Sequence, residues 1–260
     1  METEALLKVE QLALKKNRIY EQSPMRYVAR SMLASMFIGF GVIVAFKTGS
    51  YFYNAESPMT YPMAAIAFGS AIILISYGGG DLFTGNTFYY SYAALRRKLT
   101  WSRTSKLWGV SYAGNILGAA VFALLIYTTG LFAETSVNGF LLSVAEKKMH
   151  APAMELFFRG ILCNWLVCLA FFLPMFMKSD GAKMFAMLLF VYCFFISGYE
   201  HSIANMCTFA IALVLNSDPG AVTWAGIAHN LIPVTLGNLI GGGLLLGYMY
   251  HYVNKPFMDE

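Results

Sequence analysis

The chain has 260 residues, of which 58% are hydrophobic and 12% charged, with 18 Lys and Arg against 14 Asp and Glu. A water-soluble domain of this size carries about twice that charge, so long charge-free runs exclude one. Alternating strand patterns are absent, which leaves a helical membrane protein rather than an outer-membrane barrel.

The first segment, 1–24, mixes charge (Glu2, Glu4, Lys8, Lys15, Lys16, Arg18) with Leu6, Leu7, Val9, Leu12 and Leu14. That mixture predicts a short amphipathic helix at a membrane surface, and no cleavable signal is visible. Charge-free runs follow at 31–46, 57–80, 107–133, 160–177, 184–199 and 219–254. Each is near or above the roughly 20 residues that cross a bilayer as helix. Pro58, Pro62, Pro152 and Pro219 stand near the starts of spans, where a missing N–H costs least, while Pro174 and Pro233 fall inside spans and predict kinks. Between the third and fourth runs, Val137, Phe140, Leu141 and Val144 recur at helical spacing, so the segment 134–152 reads as an outer interfacial helix. Cys163, Cys168, Cys193 and Cys207 fit no zinc or haem spacing and read as small packing residues; no metal and no cofactor is expected.

Two stretches are too long for one helix. Residues 57–95 hold a single charge, Asp81, and residues 184–217 hold one formal charge, Glu200, beside His201. Each is one broken span or two whole ones, giving six spans or eight. With six spans and a cytoplasmic N-terminus, 14 of the 18 Lys and Arg fall inside; only Lys47, Lys147, Lys148 and Arg159 fall outside. Eight spans reduce the split to 10 against 8, so the positive-inside rule selects six. The second and fifth spans are then discontinuous, at Gly78-Gly79-Gly80 before Asp81 and at Ser197-Gly198 before Glu200, where glycine permits non-helical angles.

The two halves echo one another. D-L-F-T-G-N (81–86) and E-H-S-I-A-N (200–205) each place an Asn five residues after an acid; G-N-I-L-G (114–118) and G-N-L-I-G (237–241) follow. Arg30 and Arg159 open the first span of their halves, and Asn115 and Asn238 sit within the third. Three spans per half is an odd number, so the repeats, 25–133 and 153–254, insert with opposite orientation, and 255–260 forms a cytoplasmic tail. Buried acids at membrane depth mark function by default. Half-helices beginning at Leu82 and His201 both aim their N-termini at the centre, each with unpaired N–H groups and about half a positive charge. Two such tips favour an anion over a cation. Thr84 adds a hydroxyl and His201 an imidazole, the one ionisable pore group whose ordinary titration lies near neutrality.

These residues carry a resemblance. S-G-Y-E-H-S-I-A-N-M (197–206), D-L-F-T-G-N, A-G-N-I-L-G and N-L-I-P-V-T-L-G-N-L-I-G-G-G (230–243) resemble the formate/nitrite transporter family, and the similarity runs from about Met25 to Tyr252. The resemblance implies an all-α, aquaporin-like membrane fold, a homopentamer with one pore per subunit in a bacterial inner membrane, and small monovalent anions as permeants. It gives His201 the place of a central pore histidine, Thr84 that of a pore threonine, Leu82 and Phe194 those of two apolar constrictions, and Lys148 that of an outer vestibule lysine. Asn164, Glu200, Asn205 and Asn230 match a polar network around the site. The family has formate, nitrite and hydrosulfide branches, and the chain as a whole looks most like the hydrosulfide branch.

On this reading the partners are hydrosulfide, formate, nitrite, the lipid bilayer and further copies of the chain, without nucleic acid. Two other classes remain. A neutral-solute channel shares the broken-helix design but has less use for Lys148 and an acid–histidine pair. A membrane enzyme lacks any H-E-x-x-H or G-x-S-x-G to supply a metal site or nucleophile.

Overall fold

A computed structural model of the chain describes residues 2–215 and 222–258, and every regular element among them is helical. Pro219 and the last residues of the tail lie outside the described residues. The first half contains α1 (Glu2–Gln22), α2 (Pro24–Tyr53), α3 (Thr60–Phe68), α4 (Ser70–Gly78), α5 (Phe83–Leu95) and α6 (Trp101–Thr128). The second contains α7 (Thr135–His150), α8 (Ala153–Phe172), α9 (Asp180–Ile196), α10 (Ser202–Leu215), α11 (Trp224–Leu239) and α12 (Met249–Met258). Among the described residues five helical stretches are long and apolar enough to cross a membrane: Pro24–Tyr53, Thr60–Gly78, Trp101–Thr128, Ala153–Phe176 and Trp224–Pro256.

Local chemistry sets several helix starts. Ser23 accepts the Arg26 N–H at 3.4 Å, with Pro24 in the first turn of α2. Thr100 caps α6 through Arg103 at 3.2 Å, and Thr223 caps α11 through Gly226 at 3.1 Å. Each hydroxyl satisfies a donor that the first turn leaves without a partner. Pro152 directly precedes α8.

Packing is tightest where small residues line a crossing. A Cβ on Gly118 of α6 would overlap the Met32 carbonyl oxygen of α2, and one on Gly241 would overlap the Ile161 carbonyl oxygen of α8. Backbones therefore meet directly at both crossings. The main core draws on every helix from α2 to α11, with Phe46, Phe68, Phe122, Phe140, Phe194 and Phe209 buried in it.

Three features depart from the sequence reading. At Pro174 regular α-helix has already ended: α8 stops at Phe172, and Leu173–Phe176 continues as a 3₁₀ turn with the proline near its start, where its missing N–H is least needed. Helix geometry also lapses at Gly69, between α3 and α4, where a Cβ would press on Leu188 of α9. Ile240–Tyr248 continues α11 as π-helix. A Cβ on Gly242 there would strike the Thr87 hydroxyl of α5, so its absence admits α5 against this segment.

The N-terminal segment is helical, but more is buried than a helix lying on a membrane surface would require. Ala5, Leu6, Val9 and Ala13 are buried against α5, α12 and the 3₁₀ turn. This packing carries Lys16 inward.

Candidate functional site

Between α4 and α5 the chain leaves helical geometry at Gly79, whose φ of +76° suits glycine, and helix resumes at Phe83. Between α9 and α10 it does so near Gly198, at φ +71°, and helix resumes at Ser202. One asparagine holds each connection. Asn115 donates to the Ser31 carbonyl at 2.6 Å and the Asp81 carbonyl at 3.2 Å, and accepts the Phe83 N–H at 3.0 Å. Asn238 donates to the Gly160 carbonyl at 2.8 Å and the Glu200 carbonyl at 3.0 Å, and accepts the Ser202 N–H at 2.9 Å. The first helix of each half adds a further bond: the Arg30 carbonyl accepts the Asp81 N–H at 3.0 Å, and the Arg159 carbonyl accepts the Glu200 N–H at 3.3 Å. Two irregular segments thus satisfy the backbone at their buried ends through matching partners.

The acids differ in their company. Asp81 is fully buried between the Arg30 Nε and the Lys16 Nζ, both at 2.8 Å. Lys16 also donates to Asn86 Oδ1 at 2.6 Å, and Asn86 donates to the Tyr27 hydroxyl at 3.3 Å. Glu200, also buried, receives the Lys148 Nζ at 2.7 Å and the Asn205 amide at 2.5 Å. Asn205 donates in turn to Asn230 Oδ1 at 2.9 Å, and Asn230 donates to the Lys148 carbonyl at 2.9 Å.

The two connections meet through Thr84 and His201, both buried: Thr84 Oγ1 lies 3.0 Å from His201 Nε2. His201 Nδ1 accepts the Ala204 N–H at 3.0 Å, capping the first turn of α10. A ring nitrogen that accepts carries no proton, so in the neutral imidazole Nε2 is the N–H and donates to Thr84. The Thr84 hydroxyl keeps its own O–H for another partner. Phe194 stacks on the imidazole, with centroids 6.0 Å apart and planes 23° apart.

Two cavities flank this contact and share no lining residue. One, of about 210 Å³, opens toward α7 and is lined by Phe194, His201, Glu200, Asn205, Lys148 and Arg159, among others. The other, of about 480 Å³, opens toward α1, with Lys16, Arg30, Leu82 and Tyr89 in its wall. Leu82 and Phe194 therefore border different cavities. Asn164 stands apart from Glu200, Asn205 and Asn230: it donates to the Thr84 carbonyl at 3.2 Å, the Thr87 hydroxyl at 2.9 Å and the Asn238 carbonyl at 2.6 Å. Its bonds steady the first turn of α5 rather than the Lys148–Glu200 pair.

Sequence reasoning missed Lys16 and the carboxylate-binding role of Arg30. Lys16 was one of several cations on a helix expected at the surface, and no local signal distinguishes it from Lys15. Asn115 and Asn238 take one donor from each helix tip and His201 takes a second from α10, so these tips are less bare than free helix ends. Among the described residues no group of three or more His, Cys, Asp or Glu is placed to hold a metal ion.

Comparison with known proteins decides the family. The family model described as formate/nitrite transporter matches residues 3–252. The chain belongs to the formate/nitrite transporter family. It is 63% identical over 254 residues to the uncharacterized transporter YwcJ of Bacillus subtilis (strain 168), covering 98% of this chain and 99% of that one. It is 36% identical over 253 residues to the nitrite transporter NirC of Escherichia coli (strain K12), covering 94% and 90%. Among solved structures, an FNT family ion channel superposes with a TM-score of 0.89 at 33% identity, covering 96% of this chain and 99% of that one. A pentameric formate channel with formate bound gives 0.71 at 26% identity, covering 88% and 98%. The formate/nitrite transporter family consists of multi-span membrane transporters and channels, which are not enzymes.

Proposed function

We propose that this chain conducts small monovalent anions, hydrosulfide first and formate and nitrite as related permeants, through a pore in each subunit of a homopentamer in a bacterial plasma membrane. The observation that carries the reading is the Thr84–His201 contact at 3.0 Å, which joins the N-terminal turns of α5 and α10 between two cavities. In this reading α3 to α5 and α9 to α10 are the second and fifth of six spans, interrupted at mid-membrane, and the halves form an inverted repeat. Both termini are cytoplasmic, α7 lies at the outer surface, and the cavity beside it is the outer vestibule.

Lys148 raises the local anion concentration at that vestibule. Phe194 and Leu82 bound the central site on its outer and inner sides, and Thr84 donates its O–H to the ion held there. A bare anion between apolar constrictions loses hydration worth several kcal/mol, and each helix tip returns about 1–2 kcal/mol. The shortfall favours transient protonation by a proton from the adjoining water, while the neutral His201, its Nε2–H donated to Thr84, orients the hydroxyl that holds the ion. Protonating formate, with a pKa of about 3.7, costs about 4–5 kcal/mol at pH 7, whereas hydrosulfide titrates near neutrality and costs on the order of zero. That difference supports hydrosulfide as the readiest permeant.

Side-by-side uptake of hydrosulfide, formate and nitrite into vesicles at two pH values tests this. Hydrosulfide is expected to pass fastest at both, with formate gaining as pH falls. Vesicles that pass neutral solutes but carry no anion current defeat the proposal. A second reading, a proton-coupled formate or nitrite transporter, is favoured by what NirC and the formate channel are named for. Collapse of formate uptake on dissipating the pH gradient selects it.

A further inference from the structure

We infer that Arg159 is a positioning residue for Glu200: its guanidinium moves from Glu155 to an open seat over Gly198, where it holds Glu200 once a passing anion has drawn Lys148 away. This rests on the anion-conducting reading above.

The seat is visible by comparing the halves. Arg30 and Arg159 stand in the same relation to their connections, since each offers its carbonyl to the N–H of the acid. In the first half the Arg30 guanidinium continues over Gly79, its Nη1 3.4 Å from where a Cβ would lie, and binds Asp81. Gly198 has the same left-handed backbone, φ +71° against +76°, yet apart from its own chain neighbours no described residue comes within 4 Å of its Cβ position. Arg159 instead turns along its own helix to Glu155, four residues away, in a partly exposed pair. Arg159, Gly198, Glu200 and Lys148 line one cavity, so the move crosses no packed barrier.

The chemistry supplies a reason for the motion. Asp81 has two cations and keeps one if Lys16 leaves. Glu200 has Lys148 as its ion-pair partner and is 4% exposed. An anion that takes the Lys148 ammonium leaves a buried carboxylate with one amide bond, which is costly. Arg159 removes that cost by giving up an exposed pair worth little. Glutamate, one methylene longer than aspartate, reaches Lys148 and still lies beside the seat.

The test is nitrite uptake into proteoliposomes as a function of concentration. Glu155→Gln releases Arg159 and is expected to lower the half-saturating concentration about threefold, the scale of one exposed ion pair. Arg159→Gln is expected to raise it about threefold with the maximal rate little changed, and Arg159→Lys to restore part of the loss. The double variant Glu155→Gln/Arg159→Gln is expected to match Arg159→Gln alone. If Glu155→Gln lowers the half-saturating concentration equally in both backgrounds, Glu155 acts only as a charge at the vestibule and the inference is overturned. A density map of Glu155→Gln without permeant provides a readout independent of transport. It should place the guanidinium over Gly198 against Glu200, and a guanidinium that stays away from Gly198 overturns the inference. Absent anion flux in the wild type would count against the functional reading, while the map would still decide the place of Arg159.

Discussion

The connection around Asp81 and the connection around Glu200 share a backbone and differ in electrostatics. Asn115 and Asn238 make the same three bonds, and Arg30 and Arg159 offer the same carbonyl. The first acid is then closed between two cations, whereas the second has one lysine and an asparagine and borders a cavity. The two connections agree in what an irregular backbone beside a buried acid requires, its hydrogen bonds, and differ in their side-chain charges. The first connection is built as a fixed strut and the second as an exchangeable one.

The largest expected effect separates the two acids. Asp81→Asn leaves Arg30 and Lys16 facing a neutral amide and is expected to cost about 3–5 kcal/mol, as removal of one partner from a buried ionic cluster does. Glu200→Gln leaves only Lys148, which can turn into the cavity, and is expected to cost about 1.5–3 kcal/mol, the scale of a buried hydrogen bond to a charged group. Thermal unfolding in detergent measures both, and equal losses would erase the distinction between the two connections.

The second effect concerns what they share. Asn115→Ala and Asn238→Ala each remove three buried hydrogen bonds to backbone, so each is expected to lower stability by about 3 kcal/mol. Unfolding midpoints of the two variants should fall together; tolerance of either one would show that its connection has another support.

A smaller effect sharpens the functional side. His201→Ala removes the N–H that engages Thr84 and is expected to slow anion flux about tenfold, the scale of one hydrogen bond. Unchanged rate and pH dependence would take the histidine out of the mechanism. Smallest is Lys148→Glu, which repels anions at the vestibule and is expected to slow uptake by a few fold, more at low salt than at high. Flux equal to or above wild type at low salt would remove the vestibule role.

Much of this was readable along the chain because it depends on local composition. Charge-free length identified membrane-crossing segments, and glycine one or two residues before an acid marked where α4 and α9 stop. Gly-Asn-x-x-Gly marked both close crossings and the asparagines that support them. Long-range choices were not readable. Lys16 and Lys15 look alike in sequence, and only the packing of Leu6, Val9 and Ala13 against the bundle sends one of them to Asp81. Asn164 was grouped with Glu200 by motif, but α8 faces the first turn of α5 at that point. The π-helical stretch at Ile240–Tyr248 holds Gly241, Gly242, Gly243 and Gly247, which weaken α-helix without specifying what replaces it; close approach of Thr87 and Ser91 to Gly242 and Gly243 accompanies it.

The sequence by itself determined that this is a helical membrane protein of the formate/nitrite transporter family with two matched acid-and-asparagine motifs, because hydrophobic length, glycine and buried charge act over a few residues. Only the tertiary structure decided which cation each acid holds and that Thr84 meets His201. Those contacts join residues 51 to 117 positions apart, with Lys16 brought in from α1. Their geometry is set by how whole helices pack, which no local pattern encodes.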